Sequence, residues 1–123
     1  MTYIAKERDL KTRSYNFALE IINLVDRLPK DVSSEVIARQ VLRSATSIGA
    51  NIVEAQASPT RKDFSLFFGY SLKSANETVY WLKLLKDSKK ILAEKAGPLI
   101  VECEELCRIL GASLITVKSN GYK

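Results

Sequence analysis

No histidine occurs among the 123 residues. The side chain that most often serves as a general base near neutral pH is therefore missing, and with it the commonest zinc ligand. Only two cysteines are present, Cys103 and Cys107. Four apart, they share one face of a helix, where adjacent turns hold them in poor geometry for a disulfide. They read as two small core residues, and no metal site is expected. Five glycines form neither a GxGxxG nor a GxxxxGK[ST] loop, so no phosphate cradle is present. Carboxylates do not pair into the inward Glu-x-x-His pattern of di-iron bundles. An enzyme is not expected, and neither is a cofactor. No apolar run approaches the ~20 residues that span a bilayer. Met1 to Arg13 is polar and lacks the apolar stretch of a signal peptide, which points to a cytoplasmic protein with no membrane partner.

What is present is helical periodicity, in four stretches of one domain covering 1–123. The first is expected over about 9–28, with Leu10, Ser14, Phe17, Ile21, Leu24, Val25 and Leu28 on one face, and Pro29 ends it. The second is expected over about 34–56, capped by Ser33 or Ser34, with a stripe of Ile37, Val41, Ala45, Ile48 and Ile52. Its middle is rich in small residues, and Gly49 costs about 1 kcal/mol of helix propensity relative to Ala. Close approach of a neighbouring helix is the expected compensation. The third, about 61–87, opens with Thr60 as cap and Asp63 answering it, and carries Phe64, Phe68, Ser71, Leu72, Ala75, Val79 and Leu82. The fourth, about 94–118, carries Leu99, Cys103, Leu106, Leu110, Leu114 and Val117. It starts either near Glu94, with Pro98 just past the first turn, or at Pro98 itself. No strand alternation competes, and the one turn-like pair, Asn120-Gly121, has nothing beyond it to pair with. The pattern predicts an all-α, up-down-up-down antiparallel four-helix bundle.

The first and third helices have more apolar surface than one core can bury. Leu66, Tyr70, Trp81 and Leu84 fall outside the core arc of the third helix, whose apolar residues together sweep about 240°. Tyr15, Leu19 and Ile22 repeat the pattern on the first. Such flanks mark an interface, most simply with further copies of the chain. The alternative is that Tyr70 and Trp81 wrap the bundle edge with their polar tips in water.

The net charge is +5, from 19 basic and 14 acidic residues. One end of an up-down bundle gathers Arg27, Lys30, Arg39, Lys83, Lys86, Lys89, Lys90 and Lys95. The other gathers Lys6, Arg8, Lys11, Arg13, Arg61, Lys62, Lys118 and Lys123. Acids such as Glu20, Glu77, Glu102, Glu104 and Glu105 lie at mid-height. Repeated around a ring, basic ends suit phosphate backbones; the alternative is solvated helix termini whose lysines complement dipoles. Arg43, Arg61, Lys62, Lys83, Lys86, Lys89 and Lys90 are the candidate phosphate contacts. Asn51 and Glu54 form the most site-like polar pair and are expected to bond neighbouring helix termini rather than a ligand.

The stretch from Gln40 to Ala55, QVLRSATSIGANIVEA, is similar to the segment QLRRAATSIPANIAEG of bacterial four-helix bundle proteins associated with intervening sequences in large-subunit ribosomal RNA genes. Lys62-Asp63-Phe64 with Phe67-Phe68, Ser71 to Glu77, and Cys107-Arg108-Ile109-Leu110 resemble later segments of that family. Gly49 stands where the family often has Pro or Ala, and Lys73 where it has Gly or Arg. The resemblance implies a homopentameric ring. It extends to the accessory variability determinant of diversity-generating retroelements, a basic pentamer that binds nucleic acid and a reverse transcriptase. The expectation is thus a non-catalytic oligomeric accessory protein that binds RNA or DNA, with a reverse transcriptase as a further partner. A protein-protein interaction scaffold without a nucleic-acid role is the alternative.

Overall fold

The structure, a computed structural model, describes residues 3–119, with side chains from Asp9 to Lys118. Lys6, Arg8 and Lys123 as basic groups, and the Asn120-Gly121 tail, lie outside what is described. The described residues form four helices and no strand: α1 (Tyr3–Val25), α2 (Val32–Gln56), α3 (Arg61–Asp87) and α4 (Ala93–Ser119).

The helix ends follow local chemistry. α1 starts earlier than its apolar stripe, since good helix formers such as Ala5, Lys6, Glu7 and Arg8 extend it without needing the core. It stops short of Leu28, where Arg27 and Leu28 N–H groups turn to the carbonyls of Leu24 and Val25, three residues back. α2 is capped by Asp31 rather than by Ser33 or Ser34. Asp31 Oδ1 accepts the Ser34 N–H at 2.9 Å, and a carboxylate suits the positive helix terminus better than a hydroxyl. Thr60 caps α3 as expected, accepting the Asp63 N–H at 3.0 Å. α3 ends in a Schellman arrangement: Lys90 N–H reaches Leu85 O at 2.9 Å, Lys89 N–H reaches Lys86 O at 3.0 Å, and Lys89 has φ 62°. α4 starts at Ala93, so Pro98 lies inside the helix and not at its start.

α1 packs on α2, α2 on α3 and α3 on α4, and α4 closes lightly on α1. The backbones of α1 and α3 stay apart, as do those of α2 and α4. The four predicted stripes meet in the centre, where Phe17, Ile21, Val41, Ile48, Ile52, Phe68, Leu82, Leu106 and Leu110 are buried. Phe64 stacks on Phe68 with ring centroids 4.4 Å apart. Leu85 joins the core although the periodic stripe omits it.

Small residues bring the helices close. A Cβ on Gly49 would stand 3.1 Å from Ser14 Oγ, a tight contact, so α1 crosses α2 closely where glycine stands. Between α2 and α3 a ladder of hydroxyls replaces hydrocarbon. Ser71 Oγ donates to Ile48 O at 2.8 Å, Ser74 Oγ to Ser47 Oγ at 3.1 Å, and the Thr78 and Ser44 hydroxyls bond each other at 2.8 Å. Numbers rise on α2 as they fall on α3. α1 and α4 are strapped by Arg13, whose Nη2 and Nε donate to Glu102 at 2.7 and 3.0 Å. Cys103 is buried and donates to Ala75 O at 3.3 Å, and both cysteines are free. Hydrogen bonding to Cys107, together with burial, keeps the Cys103 thiol protonated well above its ordinary range.

Candidate functional site

The seven candidate phosphate contacts are not brought into one patch. Arg43 sits midway along α2, Arg61 and Lys62 open α3, and Lys83 and Lys86 lie near its far end, with Lys89 and Lys90 in the turn beyond. α3 has 27 residues and is about 40 Å long, so the two larger groups stand at opposite ends. Several are also paired. Arg43 bonds Glu77, Lys90 bonds Asp31 at 3.1 Å, and Lys83 and Lys86 lie 3.9 Å from Glu104 and Asp87. Asp26, Asp31, Asp87 and Glu94 belong to the same end as the lysines and soften its charge, which the count of cations alone overlooks. Exposed pairs of this kind are worth about 0–1 kcal/mol, so these cations can exchange partners readily. Arg61, Lys62 and Lys89 are exposed.

The apolar flanks divide more clearly. Tyr15, Leu19 and Ile22 on α1 and Leu66 and Tyr70 on α3 are exposed, Tyr15 by 65%. Trp81 and Leu84 instead turn partly inward. Trp81 packs against the core while its Nε1–H donates to Glu77 Oε2 at 2.9 Å, so it wraps the bundle edge with its polar tip on a carboxylate rather than in water. Tyr80, 58% exposed, extends the α3 flank. Periodicity alone could have placed it there, since it lies beyond the core arc of Phe68, Ala75 and Leu82.

Two of the surface clefts are lined by described residues. One, of about 490 Å³ between α1 and α4, is lined by apolar Leu24, Ile91 and Leu99 and by charged Arg27, Lys95, Glu20 and Glu94. The other, of about 330 Å³, follows the α2–α3 seam and is lined by Ser47, Asn51, Tyr70, Lys73, Ser74 and Glu77. Asn51 Nδ2 donates to both the carbonyl and the hydroxyl of Ser47, each at 2.9 Å. Its bonds therefore stay within its own helix rather than reaching a neighbouring terminus, and Glu54 is not part of the cleft. The cleft escaped the sequence reading because its residues come from two helices, and their register is invisible to single-helix periodicity. Among the described residues no group of three or more His, Cys, Asp or Glu could hold a metal ion, and no helix is long and apolar enough to cross a membrane.

No curated protein matches this chain. Among solved structures it is similar to a protein with unknown function from the S23 ribosomal protein family of Bacteroides thetaiotaomicron. The identity is 38% and the TM-score 0.83, over 89% of this chain and 97% of that one. The sequence pattern of the 23S rRNA-intervening sequence proteins matches residues 6–112, which takes in the α2 signature, the α2–α3 seam and most of α4. The four-helix packing and this match over most of the length lead to one conclusion: the chain belongs to the 23S rRNA-intervening sequence protein family.

Proposed function

We propose that this protein is a non-catalytic, cytoplasmic accessory protein that assembles into a ring and binds RNA or DNA through its basic surfaces. The observation that carries the reading is the placing of exposed apolar flanks on α1 and α3, two helices whose backbones do not meet. Flanks on separate helices suit a head-to-tail contact, in which the α1 flank of one copy covers the α3 flank of the next. Such contacts close into rings when the rotation allows. The family resemblance supplies the number five.

An up-down-up-down course suits this arrangement. The links 26–31, 57–60 and 88–92 have at most six residues and reach about 20 Å, too short to run back along a helix. The falling and rising numbers of the hydroxyl ladder support the same course for α2 and α3. In a ring, cations too weak or too scattered to hold nucleic acid singly would act together. A reverse transcriptase is the further partner that the resemblance suggests. The test is a mobility-shift titration alongside mass measurement in solution. Binding at low salt that falls steeply as salt rises is the expected result, and absence of binding at low salt counts against it.

A second reading, a protein-interaction scaffold, is favoured by the carboxylate partners of Arg43, Lys83, Lys86 and Lys90. It predicts recovery of one protein partner from nuclease-treated extract with no retained nucleic acid.

A further inference from the structure

The α2–α3 cleft combines three kinds of group. It has an aromatic ring, a set of fixed acceptors and a cation, Lys73, with Arg43 bonded to its Glu77. Tyr70 is 44% exposed and meets Phe67 edge to face, with centroids 5.9 Å apart. That contact orients the ring while leaving it open to a second one. Lys73 stands one turn away on the same helix, exposed, and Arg43 lies across the seam.

The polar groups between them are already ordered. Ser74 bonds Ser47, and Asn51 spends both amide hydrogens on Ser47, so the oxygen Oδ1 is what Asn51 has to offer. Glu77 is held from two sides, its Oε2 accepting from both Arg43 and the Trp81 indole, which leaves Oε1 as an acceptor. The volume, about 330 Å³, is at the lower end of small-molecule sites.

We infer that this cleft is a subsite for one unpaired nucleobase bearing an exocyclic amino group. Tyr70 stacks on the base, Asn51 and Glu77 accept from its amino edge, and Lys73 and Arg43 meet the adjoining phosphates. Unpaired bases are recognised in this way, by aromatic stacking and by hydrogen bonds to the base edge. A carboxylate accepts from the amino group of cytosine, whereas uracil presents carbonyl oxygens to it. The inference rests on the nucleic-acid reading above, and it moves Tyr70 from the assembly flank to the ligand.

The test uses the full chain and a short single-stranded oligonucleotide carrying one 5-iodocytosine. On irradiation the cross-linked peptide should contain Tyr70. Tyr70→Ala should weaken binding of the cytosine oligonucleotide about tenfold, while Val101→Ala, exposed on α4 away from the cleft and from both flanks, leaves it unchanged. A uracil oligonucleotide of equal length should bind the wild type more weakly, with little further loss in the variant. Lys73→Gln should lower the salt slope by about one. Oligonucleotide binding that is salt-sensitive but indifferent to Tyr70, with cross-links elsewhere, overturns the subsite and leaves the proposed function standing. No binding by the wild type at low salt overturns both. Loss of the oligomer in Tyr70→Ala, read by solution mass, returns Tyr70 to the subunit interface and also overturns the inference.

Discussion

Lys89 holds φ 62°, a left-handed conformation that side chains with a Cβ adopt at a cost of about 1 kcal/mol or more. Glycine enters it without that strain but loses more freedom on folding. The balance favours the native geometry, so Lys89→Gly should raise stability by about 0.5 kcal/mol, read from urea unfolding. Gly49 presents the opposite case. Alanine there gains about 1 kcal/mol of helix propensity, yet its Cβ would press on Ser14 Oγ at 3.1 Å. Ser14 is fully buried and donates to Lys11 O at 3.1 Å, so it has little room to yield. Gly49→Ala should therefore be neutral or destabilising alone, and stabilising by about 1 kcal/mol in a Ser14→Ala background. Additive effects in that double-mutant cycle would dismiss the crowding. Asp31 is set by titration rather than packing. The Ser34 N–H, and then Lys90, hold its carboxyl far below the ordinary carboxylate range. A folded-state pKa below the unfolded one means that the stabilisation is present above about pH 4 and fades as pH falls below it. Asp31→Asn keeps a capping oxygen, and its melting temperature should change less than that of wild type between pH 5 and pH 2.

At the level of the helix, α1 is the element held least among the described residues. It packs on α2, touches α4 lightly, and depends there on the Arg13–Glu102 bond. Breaking that bond with Glu102→Gln should cost about 1 kcal/mol. Amide exchange should quicken in α1 before it does in α2 or α3, and uniform acceleration across all four helices would show that the strap has no local role. The helices themselves were legible in the chain. Their stripes, the Thr60 cap and the close approach at Gly49 all follow from spacing and residue type. α2 starts two residues before Ser34 because Asp31, Ser33 and Ser34 can each cap, and it is the Asp31 carboxylate that takes the Ser34 N–H. The site was legible only in fragments. Arg43 reads as a free cation until Glu77, 34 positions later, is placed against it. Trp81 reads as flank until its ring is placed against the core, with the indole N–H on that same carboxylate.

For the molecule as a whole, the separation of the two flanks makes a prediction about mixtures. Leu19→Glu on α1 and Leu66→Glu on α3 should each reduce the assembly to monomers without loss of helical circular dichroism. Mixed together, they should form a one-to-one pair, because each retains the flank that the other lacks. An interface of like with like would instead let a variant pair with itself through its intact flank, with no one-to-one pair on mixing. The hydroxyl ladder bears on how such a body would respond to load. Aliphatic surfaces can slip past one another by small amounts at little cost, but paired hydroxyls fit at one setting only. A slide of α2 along α3 by a single turn, about 5.4 Å, would unmake every rung at once. The central hairpin is thus keyed like a shaft in its slot, and the give in the bundle belongs to its outer pair of helices, α1 and α4.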